Sequence, residues 1–355
     1  MSASNLQASL WSTLGQAIGA RGSFLSAPSN PFYVVVPRQS AHSGEATKLF
    51  ALCHFLNLIG ERAFVIPHPL ATMSDSAWPH FAQFALSPVE PEGLWAPLLT
   101  PELVTSHFRR QLTPICVYPE SVEDPLKAPY VARFVLGLPS SNAQRHRIPR
   151  HFTVCADHYL AEIAGSSHIL QLPTVDLRNL NRSRAPRTGS CFYVGSQRQA
   201  NGKPPAGLPK GCREVLDADR MSGSERLELL ATSKLMYCFE DTPLAVEACC
   251  SGCAVVYVPN DHLVRETQLA REFGPAGHAW GTAQADVQRA LRTVGKVRGA
   301  VTRCLEQLPT NVHDFATATK AEAGLVPYDT PVSLPYDCRR IFVSPGTLPG
   351  PHHAL

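Results

Sequence analysis

The chain has 355 residues, of which 44% are hydrophobic and 17% are charged. Soluble domains usually carry about 25% charged residues, so the composition excludes disorder through excess charge, and the length favours two domains. The net charge of +3 excludes a global field directed at nucleic acid, so any anion must be bound locally. Proline, with 31 residues, is enriched and calls for a position-by-position interpretation.

No stretch of the sequence approaches the roughly 18 uncharged apolar residues of a membrane-spanning helix. The first 24 residues lack a basic start followed by an apolar core, which predicts no secretory signal and a cytoplasmic location. Most of the 11 cysteines lie in apolar runs, as in a reducing compartment. The C-x-x-C spacing of Cys250 and Cys253 has no second ligand pair, which favours packing over metal or redox chemistry.

The first half of the chain alternates between strand and helix patterns. After a predicted amphipathic helix within 1–29, the β-branched run 31–37 is typical of a buried parallel strand, and the spacing from Glu45 to Gly60 predicts a helix. Strands are also predicted over 62–67, 114–118 and 168–172, and a helix over 130–136.

The polar and basic segment 177–187 predicts a linker, beyond which the alternation resumes. Ser222 and Glu225 occupy the positions of a capping box, which predicts a helix that begins there. The remaining pattern predicts strands over 191–195, 235–239 and 254–259, and helices over 244–250, 263–273, 282–308 and 311–323.

These patterns predict an α/β protein of two Rossmann-like domains facing across a cleft. The expected boundaries are an N-terminal helical extension over 1–29, a first domain over 30–176, a linker over 177–188, a second domain over 189–324 and a Pro-rich tail over 325–355.

The strongest candidate site lies where a predicted strand meets a helix. Backbone amides at a helix start bind phosphate, and a carboxylate one turn into that helix can reach a ribose. Equally, the carboxylates could simply favour the helix N-terminus through its dipole. The residues concerned are Glu240, Asp241, Thr242, Pro243, Leu244 and Glu247.

The run FEDTPLAVEACCSGCAVVYVPN, 239–260, resembles the nucleotide-sugar signature of GT-B glycosyltransferases. Segments 52–63 and 113–134 are similar to parts of bacterial polysaccharide, lipopolysaccharide and capsule glycosyltransferases of the group 1 type, and the resemblance covers 32–323. Ala254 replaces the family's usual proline, and Glu240 and Glu247 are seven positions apart where the superfamily has eight. Glu247 is therefore the safer equivalent.

The resemblance implies a GT-B fold and the transfer of a sugar from a nucleoside-diphosphate sugar to a glycan or lipid-linked acceptor, with retention of configuration and without a metal or other cofactor. The second domain would bind the donor, through the residues of the candidate site together with Gly195, Arg198 and Lys203. The expected setting is bacterial surface polysaccharide synthesis in the cytoplasm, with peripheral contact to the inner membrane or to assembly proteins left open.

A second candidate site is the loop before the first helix, where relatives usually carry paired glycines. This chain has Ser43 and Gly44 there, followed by Glu45, with His42 at the edge of the site as a candidate catalytic residue. These residues would approach the donor phosphates and the acceptor. An ordinary turn with Ser43 as the helix N-cap is equally compatible with the sequence.

The remaining candidates are cations and carboxylates. Without a metal, a cation must stabilise the departing diphosphate, and Lys203 is preferred over Arg198 and Lys210 because Gly202 permits close approach, although a solvated loop charge is the more common role. Glu120 directly follows a buried strand, where it could orient or deprotonate the acceptor hydroxyl, or cap the following loop.

The pair Asp217 and Asp219 forms a D-x-D in a polar stretch, which favours a solvated loop over a metal site. Two other functions remain open from the sequence: a catalytically silent module that binds a sugar nucleotide or glycan, and a sugar-nucleotide epimerase of the same fold.

Overall fold

The computed structural model describes residues 30–37, 44–68, 96–99, 101–124, 128, 130–137, 152–175, 177, 180, 187–195, 207–216, 220–260, 263 and 273–324. These residues belong to two compact units. The first unit contains those up to Leu172 and those from Glu306 onward, and the second contains those from Pro173 to Leu305. None of the helices described here is long and apolar enough to cross a membrane.

The first unit is built on a six-stranded parallel sheet with the order β2-β1-β3-β4-β5-β6. Its strands are β1 (Phe32–Pro37), β2 (Ala63–His68), β3 (Ile115–Pro119), β4 (Tyr130–Val135), β5 (Phe152–Cys155) and β6 (His168–Ile169), and its helices are α1 (Gly44–Leu58), α2 (Pro101–Arg109) and α3 (His158–Ala164). The sequence did not predict α2, β5 or α3.

The first βαβ segment follows directly from its sequence. Every residue of β1 is buried, as expected of an unalternating apolar run in a parallel sheet. The predicted apolar face of α1 is also buried, with Leu49, Leu52, Cys53 and Leu56 fully inaccessible to solvent. Gly60, at φ 92°, follows the helix with a left-handed turn. These predictions are confirmed.

The prediction of a helix over 130–136 is wrong, because Tyr130–Val135 forms strand β4 between β3 and β5. Ala132, Phe134 and Val135 are buried in the sheet, so pairing on both edges decides the conformation of a segment whose local preference is mixed. Arg133, the only charged residue of this strand, is itself buried.

The second unit contains a five-stranded parallel sheet with the order β8-β7-β9-β10-β11. Its strands are β7 (Ser190–Tyr193), β8 (Arg213–Glu214), β9 (Leu235–Cys238), β10 (Ala254–Tyr257) and β11 (His278–Trp280), and the helices that follow in the chain are α4 (Gly223–Thr232), α5 (Leu244–Ser251), α6 (Gln284–Thr293) and α7 (Gly295–Glu322). The predicted capping box of Ser222 and Glu225 opens α4. The predicted α/β class with two doubly wound sheets is confirmed.

Helix α7 differs from its prediction. The sequence predicted a break near Pro309, but the helix is continuous through this proline and the break comes at Val294 instead. Proline removes one helical hydrogen bond, which the burial of Leu308 and Val312 on either side of it offsets. The residues of α7 up to Leu305 belong to the second unit, and those from Glu306 onward belong to the first.

The last turns of α7 are fastened to the first sheet by a buried ion pair. Lys320 Nζ lies 2.5 and 2.6 Å from the two carboxylate oxygens of Glu61, in the turn between α1 and β2. The ammonium also lies 5.8 Å from the centre of the Phe32 ring, and Phe315 packs against the same ring. This segment of α7 therefore completes the core of the first unit.

Arg187, at the end of the predicted linker, ties together the carboxyl ends of two helices. Its guanidinium donates to Leu230 O at 2.9 Å and Ser233 O at 3.0 Å, at the end of α4, and to Ser251 O at the end of α5. Gly252, with φ 93°, leaves room for it, since a Cβ there would lie 2.9 Å from Arg187 Nη2.

Replacing Arg187 by methionine is expected to lower the free energy of unfolding by about 2–3 kcal/mol, because three carbonyls lose a charged donor. Chemical denaturation of the variant measures this loss. The control is Arg303→Met, which removes an exposed guanidinium from α7 and should change stability by less than about 0.5 kcal/mol. Equal stability of the two variants would contradict the assigned role of Arg187.

Candidate functional site

Each sheet contains one point where the strand order reverses, and ligands of doubly wound folds bind outside the carboxyl ends of the strands at such a point. In the first sheet the reversal lies between β1 and β3, and in the second between β7 and β9. The predicted residues Glu120, Gly195 and Glu240 directly follow β3, β7 and β9 or lie within two residues of them.

Gly195 and Glu240 meet at the reversal of the second sheet. A Cβ placed on Gly195 would lie 1.8 Å from Glu240 Oε1, so the carboxylate occupies the space that any side chain would need. The φ of 51° at Gly195 also favours glycine. The structure thus brings two predicted site residues together although they are far apart in the sequence.

The start of α5 is organised by Thr242 and Pro243. Pro243 has helical angles, φ −57° and ψ −24°, and Thr242 Oγ1 accepts a hydrogen bond from Leu244 N at 3.3 Å. Pro243 therefore occupies the first-turn position in which its missing N–H costs nothing, as the sequence predicted.

The expectation that this helix start offers free amides for a phosphate needs correction. Leu244 N donates to the Thr242 side chain, Ala245 N donates to Thr242 O, and the amides of Val246 and Glu247 both donate to Pro243 O. All four amides therefore have acceptors inside the first turn. The start of α5 would attract an anion through the helix dipole and not through unpaired N–H groups.

Glu247 faces an arginine that the sequence analysis did not single out. Its Oε2 lies 3.8 Å from Arg226 Nε of α4, and the two side chains are only 16% and 13% exposed. Burial raises the pKa of Glu247, and the charge of Arg226 opposes that rise. A basic residue in the first turn of a helix opposes the dipole, which is the signal that could have pointed to an acidic partner.

Glu120 connects the ends of two strands in the first sheet. Its carboxylate accepts hydrogen bonds from Leu136 N and Gly137 N, both at 2.8 Å, directly after β4. Burial raises the pKa of Glu120 to about 7, the nearby charge of Glu45 adds to the rise, and the two amides oppose it. Glu120 is thus a carboxyl group that takes up and releases a proton near neutral pH.

Glu45 is held beside this carboxyl group. Ser121 Oγ donates to Glu45 Oε1 at 2.6 Å, which joins the first turn of α1 to the turn after β3. Two carboxylates and a hydroxyl therefore lie together at the reversal point of the first sheet. Gly44, the residue before Glu45, is the first residue of α1.

Arg133 of β4 holds the turn that carries Glu120 through hydrogen bonds to its backbone carbonyls. Its Nη1 donates to Val122 O, and more weakly to Pro119 O at 3.4 Å, while its guanidinium carbon lies 5.0 Å from the centre of the Tyr118 ring. Tyr118 in turn donates to Asp124 at 2.8 Å. The single charged residue in the otherwise apolar segment YVARFV is the sequence signal for this role.

Several predicted residues lie outside the described part of the chain: His42, Ser43, Arg198, Lys203, Asp217 and Asp219. Lys210 is described and lies on the surface. Among the residues that the structure describes, no group of three or more His, Cys, Asp and Glu side chains could hold a metal ion.

The cysteine cluster of α5 is packed into the core. Cys249, Cys250 and Cys253 are fully buried, and burial raises the pKa of Cys249 well above that of an ordinary thiol. Cys249 Sγ lies 3.6 Å from His278 Nε2, and burial lowers the pKa of His278 to about 4, so both groups are neutral. The interpretation as packing fits this environment.

No protein-family model and no curated protein sequence matches the chain. Among solved structures, a glycosyltransferase from Rickettsia africae is similar over 83% of this chain and 99% of its own, with a TM-score of 0.47 and 10% identity. A spinosyn rhamnosyltransferase matches over 82% and 100%, with a TM-score of 0.41 and 14% identity. An α-glucosyltransferase solved with UDP and DNA matches over 83% and 99%, with a TM-score of 0.38 and 11% identity.

Proposed function

We propose that the protein is a GT-B glycosyltransferase that moves a sugar from a nucleoside-diphosphate sugar to a glycan or lipid-linked acceptor. The observation that carries the proposal is the meeting of Gly195 and Glu240 where the second sheet reverses its order, directly before the helix whose first turn contains Glu247. The resemblance of 239–260 to a nucleotide-sugar signature supports the same assignment.

In the proposed reaction the second unit binds the donor and the first unit binds the acceptor. The bond between the anomeric carbon and the diphosphate breaks, the acceptor oxygen bonds to the same face of the sugar, and the acceptor proton passes to Glu120. Lys203 is proposed to stabilise the departing diphosphate without a metal or other cofactor. The proposed setting is surface polysaccharide synthesis in a bacterial cytoplasm.

The mechanism assigns different roles to the two carboxyl groups of the first unit. Glu120, with a pKa raised to about 7, exchanges a proton at neutral pH. Glu45 is held by the Ser121 hydroxyl, which leaves its second carboxylate oxygen to accept from an acceptor hydroxyl. An acceptor rich in hydroxyl groups, such as a glycan, fits these partners.

The test is to incubate the protein with UDP-, GDP- and ADP-sugars and a mixture of glycan and lipid-linked acceptors, and to measure the release of nucleoside diphosphate. Release is expected with one donor, and Glu247→Gln should reduce it at least about 10-fold, the loss expected for a hydrogen bond to a charged group. The exposed Glu228→Gln on α4 is the matched control.

The occupied amides of α5 favour one alternative, a module that binds a sugar nucleotide without turning it over. Calorimetry with UDP, GDP and ADP separates the two functions. Binding without release would favour the silent module, whereas the absence of binding by all three nucleotides would overturn both.

A further inference from the structure

Arg226 contains a buried donor without an acceptor. Its Nε is shielded from solvent and makes no hydrogen bond, although it lies 3.8 Å from Glu247 Oε2. A hydrogen bond from N–H to oxygen requires about 2.7–3.2 Å, so this pair is an ionic contact and not a hydrogen bond. Leaving a buried charged donor unsatisfied is unfavourable, which indicates that a missing group completes the pair.

The pair lies at the ligand-binding edge of the second sheet. Helix α4 begins after β8 and helix α5 begins after β9, and both strands run parallel to their neighbours, so both helices start on the carboxyl side of the sheet. Arg226 and Glu247 each lie in the first turns of their helices, and the two helices pack together. The pair therefore lies on the side of the sheet where a ligand at the reversal point would bind.

The chemistry of the two atoms selects the group that fits between them. Arg226 Nε can only donate and an ionised Glu247 can only accept, so the bridging atom must accept from one side and donate to the other. A hydroxyl does both. A phosphate oxygen would be repelled by Glu247, an ammonium by Arg226, and a base carbonyl has no proton to donate to the carboxylate.

We propose that Arg226, together with Glu247, binds the ribose of the donor nucleotide. In this arrangement Arg226 Nε–H donates to a ribose hydroxyl, and that hydroxyl donates to the Glu247 carboxylate. The inference rests on the proposed function, since it assumes a nucleotide at this edge. Two residues on two helices would then recognise the sugar of the nucleotide, and the hydroxyl that bridges them, at the 2′ or the 3′ position, becomes a required feature of the donor.

The experiment is a thermodynamic cycle in which a ribose hydroxyl of the ligand and the Arg226 side chain of the protein are removed separately and together. Calorimetry first identifies the nucleotide that binds among UDP, GDP and ADP, and then compares it with its 2′-deoxy and 3′-deoxy forms. The protein variants are the wild type, Arg226→Met, Arg226→Lys and the control Arg220→Met, which removes an exposed arginine just before α4. Thermal unfolding of each variant shows that the compared proteins are folded.

In the wild type, loss of the bridging hydroxyl is expected to weaken binding about 10- to 100-fold, as for hydrogen bonds to charged groups. In Arg226→Met the same deletion should change the affinity less than about 3-fold, because the partner is already gone. Arg226→Lys should retain part of the penalty, and Arg220→Met should behave as the wild type.

The binding measurements distinguish a failure of the proposed function from a failure of this inference alone. If no nucleotide binds, the proposed function fails. If a nucleotide binds but both deoxy forms lose the same factor in the wild type and in Arg226→Met, or lose nothing in either, the hydroxyl does not bridge the pair and only this inference is overturned.

Discussion

Replacing Lys320 by methionine is expected to lower the free energy of unfolding of the first unit by about 3–5 kcal/mol, the usual effect of removing one partner from a buried ion pair. The Lys320 and Glu61 side chains are 4% and 15% exposed. The variant leaves the Glu61 carboxylate without its counter-charge in the interior, and this desolvated charge causes most of the expected loss.

The double variant Glu61→Gln with Lys320→Met should recover much of that stability, because it removes both charges. Urea unfolding together with hydrogen exchange of the β1 and β2 amides locates the effect in the first unit. Lys296→Met removes an exposed lysine from the same helix and should cost less than about 0.5 kcal/mol. A double variant as unstable as the single one would show that packing, and not charge, is lost.

Replacing Glu120 by glutamine is expected to reduce the rate of sugar transfer by about 10²–10⁴-fold, the range found for the loss of a general base. In the wild type the rate should rise with pH and level off above about 7, because the base acts in its ionised form and its pKa is raised to about 7. In the variant this pH dependence should disappear. The pH profile of nucleoside diphosphate release measures both effects.

Glu123→Gln is the control for this variant, since Glu123 is exposed on the same turn. The raised pKa of Glu120 also affects the stability of the fold. The folded protein holds the Glu120 proton more tightly than the unfolded chain does, because the pKa of this glutamate is near 4.5 when the chain is unfolded. The contribution of Glu120 to stability is therefore fully present below about pH 4.5 and is lost as the pH rises through about 7. A pH–rate profile unchanged in Glu120→Gln would exclude Glu120 as the base.

Local patterns in the sequence were sufficient for β1, α1 and the start of α4, because burial on both faces, a helical apolar stripe and a capping box are each encoded within a few neighbouring residues. They failed for β4, whose conformation depends on pairing with β3 and β5. They also failed at Pro309, where packing on both sides of the proline outweighs one lost hydrogen bond.

The candidate site shows the same division. Glu120, Glu240 and Glu247 were found because they follow strands or open a helix, which is a local property. Leu136 is a partner of Glu120, Arg226 is the partner of Glu247, and Arg133 bonds to the turn that carries Glu120. All three come from other parts of the chain, so only the folded chain identifies them. The meeting of Gly195 with Glu240 likewise depends on the neighbouring positions of β7 and β9 in the sheet.

The course of helix α7 also sets an order of events during synthesis. Glu61 and Lys320 are separated by 259 residues, so the ribosome needs roughly 13–50 seconds to deliver the lysine after the glutamate, at about 5–20 residues per second. During that interval the side of β1 that carries Phe32 and the turn that contains Glu61 are not yet covered by α7. The described strands of the second sheet, which precede α7 in the chain, have by then been synthesised. The first sheet to be made is thus completed after the second, and the nascent chain must keep that apolar face from aggregating until helix α7 is synthesised.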